Sequence, residues 1–267
     1  MAIRDILVHL DNSSASALRL NVAIAYALKH GARLRGLYLI THFYYEPRAL
    51  GEKADSEKAE QLFTDKTSEA GILSDWVFQD CSTMGSNVSD LITMHAYFTD
   101  LLIMGQVNLS APAINIPTDL VERVILACGR PVLVIPYSGI FNSAGDRIMI
   151  AWKGGRESIR AVNDALPHLQ KARTVDIVVG KKTKDNLDPT TESIKNFLLK
   201  HGVIATVDVI ISGNFPIGDM LLNNVCEKNI DLLVMGVYAP NRRGKLEMSS
   251  VAQHVLKHLT APVLMSH

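Results

Sequence analysis

The sequence predicts an α/β protein built as two doubly wound parallel-sheet domains in tandem, and three observations lead there. The length of 267 residues is roughly two domains at about 150 residues each. Short, continuous, β-branched-rich runs alternate with amphipathic helical stretches, the pattern of strands buried on both faces of a parallel sheet. The plan is also written twice. With 48% hydrophobic and 20% charged residues, the chain has the apolar material for two packed cores and too little charge for disorder.

The first half opens on a strand, Ile6 to Asp11, followed by the Ser-rich turn Asn12-Ser13-Ser14, which is able to cap a helix. Leu18, Val22, Ala25 and Leu28 then recur at helical spacing, and His30-Gly31 supplies a left-handed helix stop. A second strand runs from Leu34 to Ile40. The second half begins in the same way. Arg147 to Trp152 reads as a strand, Gly154-Gly155 as a turn, and Ile159, Val162, Ala165 and Leu169 as the apolar face of a helix from about Glu157. The strand Val175 to Val179 matches Leu34 to Ile40. Later landmarks agree as well: Asp100-Leu101-Leu102-Ile103-Met104-Gly105 corresponds to Asp231-Leu232-Leu233-Val234-Met235-Gly236, and Arg130-Pro131-Val132-Leu133-Val134 to Ala261-Pro262-Val263-Leu264-Met265.

These later pairs are offset by 131 and the opening strands (Ile6 with Ile148) by 142, so the first copy carries about 11 extra residues. The polar stretch Tyr44 to Glu60 is the expected place for the excess. A repeat of this size is a whole domain, far longer than the ~20–50 residues of a solenoid unit. The boundaries follow: a first domain over 1–138, a Gly/Ser-rich linker over 139–145 and a second domain over 146–267.

Twenty-seven basic and 27 acidic residues balance to a net charge of zero, which removes the broad attraction to phosphate that nucleic-acid coating needs. The basic run Asn241-Arg242-Arg243-Gly244-Lys245 reads as a solvated turn. Cys81, Cys128 and Cys226 are scattered, with no CxxC pair, as in a reducing compartment. No signal-peptide pattern precedes the first strand, and no apolar run approaches the ~20 residues of a membrane helix. These features predict a cytoplasmic protein with no membrane and no nucleic-acid partner.

Ligands on such sheets lie beyond the carboxyl ends of the strands. That rule selects Leu10-Asp11-Asn12-Ser13 and Met104-Gly105 in the first copy, and Trp152-Lys153-Gly154-Gly155 and Met235-Gly236 in the second.

The strand-Asp-x-Ser-helix opening, the Asp-Leu-Leu-x-Met-Gly strand and the final helix leading to Pro-Val-Leu resemble the universal stress protein family, and the two copies resemble its tandem form. The resemblance covers nearly the whole chain. It implies a five-stranded, Rossmann-like α/β fold of the adenine nucleotide alpha hydrolase type. It also implies pairing of the copies through their last strands as an internal pseudo-dimer, with a further homodimer left open. The family's nucleotide binders resemble one another in G-x-x-G followed after nine residues by G-[S/T]. Glycine there lets backbone N–H groups approach phosphate, and the next helix N-terminus adds partial positive charge. In the second copy Gly236 and Ser250 match, while Ala239 and Ser249 replace glycines, so the loop is half-retained. Lys153 stands where the family has an Asp, a cation able to replace a metal ion beside phosphate. The resemblance thus implies an adenine-nucleotide site, ATP being the expected cofactor, with adenine near Ala151, Trp152 and Val179, phosphates at Gly236, Ala239, Ser249 and Ser250, and Met235 also in the site. In the first copy Asp11 and Ser13 match, but Gln106 to Pro112 follow Gly105 and Thr118-Asp119 stands at the Gly-Ser position. Phosphate binding is expected to be lost there, and Asp11 is read as the N-cap of the first helix.

Other signals are weaker. His254 and His258 sit at i, i+4 and would need a third ligand such as His267 to hold zinc. Cys128 reads as a small buried hydrophobe, and Trp152 as packing beneath the site. No nucleophile–base–orienter set can be assembled. The expectation is a non-catalytic stress-response protein, with a slow ATP hydrolase and a ligand-free interaction scaffold as alternatives.

Overall fold

Strand β1 (Asp5–Leu10) is buried at every position after its first, as a central strand covered on both faces must be. The computed structural model describes residues 2–40, 52–80, 87–108, 110, 117–141, 145–181, 189–240 and 246–267. The chain divides into two compact units, Ala2–Asn142 and Ser143–His267.

In the first unit, β1 leads into α1 (Ser16–His30), which closes at Gly31 in the left-handed conformation with φ 65°. The chain continues through β2 (Arg33–Ile40), α2 (Glu52–Glu69), β3 (Ser74–Asp80), α3 (Val88–Ala96), β4 (Leu101–Gly105), α4 (Leu120–Ala127) and β5 (Val132–Ile135). The strands run in the order β3-β2-β1-β4-β5, and every pairing is parallel. Ile6, Leu7, Val8, Leu34, Leu37, Leu102 and Ile103 form the buried centre.

The second unit repeats this series with β6 (Arg147–Ala151), α5 (Gly155–Leu169), β7 (Thr174–Lys181), α6 (Thr190–Lys200), β8 (Ala205–Ile211), α7 (Ile217–Glu227) and β9 (Leu232–Gly236). A short antiparallel hairpin, β10 (Tyr238–Pro240) with β11 (Leu246–Met248), precedes α8 (Ser250–Lys257) and β12 (Val263–Ser266). The strand order is β8-β7-β6-β9-β12, again all parallel. Helix α5 starts at Gly155, two residues before the expected Glu157, because Gly154 at φ 77° turns the chain directly into it.

Register makes the two units comparable residue by residue. Ile6 pairs with Leu34 and Leu101, and Ile148 with Val175 and Leu232. The extra length of the first copy lies chiefly between its second and third strands, where α2 has 18 residues against 11 in α6. Residues 44–51 of the stretch expected to hold it lie outside the described residues.

Asp100 and Asp231, the acids that open the repeated Asp-Leu-Leu-x-Met-Gly motif, have the same task. Asp100 Oδ2 accepts from the Arg4 and Asp5 amides at 2.8 and 3.0 Å, and Asp231 Oδ1 from the Asp146 and Arg147 amides at 3.0 and 2.8 Å. Each carboxylate satisfies donors ahead of a central strand, at the amino end of its sheet, and a buried or half-buried donor without a partner would cost about 1–3 kcal/mol. The carboxyl ends are left for a ligand.

Candidate functional site

At the carboxyl end of the second sheet lies a cavity of about 300 Å³. Its floor is apolar: Ala151 closes β6, Val178 and Gly180 come from β7, and Met235 and Gly236 end β9. Trp152, Lys153 and Gly154 form the β6–α5 turn, and Glu157 and Ser158 the first turn of α5. Ile217 and Leu221 of α7, Tyr238 of the hairpin, and Ser249, Ser250 and Val251 at the start of α8 complete the wall.

Of the residues selected from the sequence, Ala151, Trp152, Lys153, Met235, Gly236, Ser249 and Ser250 are brought together here. Val179 is not. Side chains alternate along a strand, so Val178 and Gly180 face the cavity while Val179 points to the other side of the sheet, where it is buried. Ala239 lies in β10, and its side chain is outside the described part of the structure. Residues 241–245 of the basic run lie outside the described residues.

Local chemistry fixes most of this wall. The Trp152 amide donates to the Val178 carbonyl at 2.9 Å, and its indole Nε1 donates to Thr190 Oγ1 at 3.3 Å, so the ring is held as packing under the turn. Ser249 is the N-cap of α8, its Oγ accepting from the Ala252 amide at 3.2 Å. Gly236 is required sterically: a Cβ there would lie 2.5 Å from the backbone C and O of Glu157, so the start of α5 rests on the end of β9. Glu157 stands 3.4 Å from the Arg156 guanidinium. Lys153 is exposed at the rim, and among the described residues no ion pair engages it.

The first unit fills the corresponding space with its own side chains. His9 occupies the register of Ala151, and Leu39 that of Gly180. Arg19, on α1, puts its guanidinium so close to Gly105 that a Cβ there would meet Nη2. That guanidinium donates to the His9 carbonyl at 2.6 Å and to Asp11 Oδ2 at 3.0 Å. Asp11 is therefore not the N-cap of α1. The N-cap position is Ala15, with no side-chain cap, and Asp11 Oδ1 instead accepts from the Ser13 amide at 3.0 Å, because Arg19 draws the carboxylate inward. Burial disfavours the charged carboxylate, yet Arg19, His9 and the Ser13 hydroxyl hold Asp11 well below the usual carboxylate range. Burial likewise pushes the His9 imidazole down to about 4, with Asp11 opposing and Arg19 adding to the shift. Asp119 starts α4 without capping it, its carboxylate being turned onto Arg123 Nε at 2.7 Å.

A shallower groove of about 350 Å³ runs between the β1–α1 turn and α2, lined by Asp11, Ser13, Asp55 and Lys58 among others. His254 lies 2.6 Å from Asp219 and packs at a tilt against His258, while His267 packs on Tyr238. Among the described residues no group of three His, Cys, Asp or Glu is placed to hold a metal ion. Cys128 is buried, with its thiol pushed up by burial; Cys226 is exposed, and Cys81 lies outside the described residues. No helix among the described residues is long and apolar enough to cross a membrane.

This architecture, two five-stranded doubly wound sheets with a ligand-sized cavity at the carboxyl end of one, has close structural counterparts. The chain is similar to a universal stress protein from Archaeoglobus fulgidus DSM 4304 at a TM-score of 0.74 and 18% identity, over 98% of this chain and 97% of that one. It is also similar to a functionally unknown protein from Pseudomonas aeruginosa PAO1, at a TM-score of 0.65 and 19% identity over 99% and 92% of the two chains. The fold is thus that of the universal stress proteins, along nearly the full length. No protein-family model matches the chain, and no curated protein matches it.

Proposed function

We propose that the chain is a tandem universal stress protein without catalytic activity, whose second unit binds an adenine nucleotide. The observation that carries this reading is the cavity of about 300 Å³ at the carboxyl ends of β6, β7 and β9, the place where open parallel sheets take ligands. Its size is at the lower end of the ~300–1,000 Å³ of small-molecule sites. An apolar floor suits a base, and the start of α8 with Lys153 suits an anion.

The contrast between the units supports confining the ligand to one of them. Where the second unit has Ala151 and Gly180, the first has His9 and Leu39, and Arg19 with Asp11 closes what is left. The non-catalytic reading is supported by the described lining residues, among which there is no His, Cys or Asp and a single carboxylate, Glu157. A nucleophile with an adjacent base is not available from that set.

The test is to purify the full chain without added nucleotide, denature it and identify released small molecules by mass spectrometry, with calorimetric titration of adenine nucleotides beside it. Release of an adenine nucleotide, or saturable binding at one site, is expected. Neither release nor saturable binding at millimolar nucleotide would refute the proposal.

A further inference from the structure

The second-unit cavity continues past the start of α8. Ile217, Ser250 and Val251 line it and also line a second space, a groove of about 570 Å³ at the starts of α7 and α8. The β8–α7 turn supplies Asn214, Phe215 and Pro216 to that groove, and α8 supplies His254. Phe215 has no part in the core, being 71% exposed, yet its backbone is held on both sides. The Ser212 amide donates to the Lys181 carbonyl at 2.8 Å, Gly213 turns the chain at φ 56°, and the Phe215 amide donates back to the Ser212 carbonyl at 2.9 Å. Pro216 then enters α7 with its ring fixing φ, here −58°. An aromatic residue on an ordered backbone loses little further freedom when a planar group stacks on it. His254 stands 2.6 Å from Asp219, and Gly218 admits the imidazole, since a Cβ there would lie 2.7 Å from the ring. The groove thus pairs an aromatic wall with polar groups from Asn214 and His254.

We infer that the second unit takes a dinucleotide, with one nucleoside in the cavity and the second in the groove, its base on Phe215. The inference rests on the proposed adenine-nucleotide site and names the ligand class of that site. The cavity of about 300 Å³ is at the lower end of the ~300–1,000 Å³ of small-molecule sites, and the groove that shares three of its residues extends the space available to one ligand. Every base offers a π-face, so stacking on Phe215 favours a second base without specifying which. Asn214 and His254 carry hydrogen-bonding groups suited to the hydroxyls of a second ribose. A phosphate tail gains nothing from an aromatic ring and a proline, whereas a base buries apolar surface against both.

The test is calorimetric titration of the full chain with AMP, ADP-ribose, adenylyl-adenosine and diadenosine pyrophosphate. ADP-ribose keeps the pyrophosphate and the second ribose but lacks the second base. The inference expects at least one of the two dinucleotides to bind about tenfold or more tightly than both AMP and ADP-ribose. Phe215→Ala should bring that ratio to within about twofold of unity, and Phe215→Trp should retain it. Phe98→Ala, which removes an 84% exposed ring from the first unit, should leave the ratio unchanged. AMP binding with no gain for either dinucleotide would overturn the inference and leave the nucleotide site standing. An equal gain from ADP-ribose, or a ratio indifferent to Phe215→Ala, would overturn it as well. Failure of every probe to bind would remove the proposed function together with it.

Discussion

Replacing His9 by Gln should flatten the acid sensitivity of the first unit by an amount that follows from its burial. The imidazole is 4% exposed, and burial keeps it neutral down to about 4, whereas in the unfolded chain a histidine takes its proton near ~6.5. Because the folded value is the lower one, the unfolded state binds more protons between these limits. The contribution of His9 is therefore complete above ~6.5 and is lost as the pH falls towards 4. At ~1.36 kcal/mol per unit of pKa the whole effect is about 3 kcal/mol, of which about 2 kcal/mol falls between pH 7 and pH 5. Glutamine keeps a planar polar group of similar reach and removes the titration. The chain has two tryptophans, Trp76 on β3 packed against Phe63 at 5.2 Å and Trp152 in the second unit. In a Trp152→Phe background the fluorescence therefore reports the first unit alone. Urea unfolding at the two pH values should show the loss on acidification shrinking by about 2 kcal/mol in His9→Gln. An unchanged loss would refute the buried, neutral imidazole and with it the claim that His9 fills the space open in the second unit.

Three further outcomes are expected. Asp11→Ala should destabilise the first unit by about 3–5 kcal/mol in the same fluorescence assay, because Arg19 is left buried without its counter-charge, while nucleotide affinity measured by calorimetry stays within about twofold. Gly236→Val should abolish binding and also lower the melting temperature of the second unit, since its Cβ would stand 2.5 Å from the Glu157 backbone; circular dichroism on heating separates the two effects. Thr190→Val should cost about 1 kcal/mol of second-unit stability in urea, by leaving the Trp152 indole N–H without its 3.3 Å partner.

The strands were legible because each is a continuous apolar run ended by a turn signal, and because the same run recurs at a fixed offset; Leu101 to Gly105 and Leu232 to Gly236 are the plainest case. Most of the cavity wall was legible too, since the carboxyl-end rule and the glycine pattern point to Lys153, Gly236 and Ser250. Val179 was selected in place of Val178 and Gly180 because the side of a strand that a residue faces follows from register with its neighbours, here Ala151 opposite Val178. A glycine inside a strand, as at Gly180, is itself a sign of close approach, and it was available in the sequence. Ile217 and Leu221 could not be assigned, because their helix reaches the cavity only through the tertiary fold. Nor could Arg19. It stands between Leu18 and Leu20, where a solvated position is the ordinary expectation, and only the folded β1–α1 unit shows Asp11 and the His9 carbonyl converging on it. That convergence also explains why Asp11, beside a Ser-rich turn, was read as a helix cap.

The most direct measurement is the stoichiometry of adenine-nucleotide binding to the natural chain and to Ala151→His, by isothermal titration calorimetry. His9 shows that histidine is accommodated at this register of the fold, so Ala151→His fills the cavity with a side chain the architecture already tolerates. One site per chain, weakened by at least about tenfold in Ala151→His, is the result expected if the second-unit cavity is the binding site. Two sites per chain, or full affinity retained in Ala151→His, would contradict it.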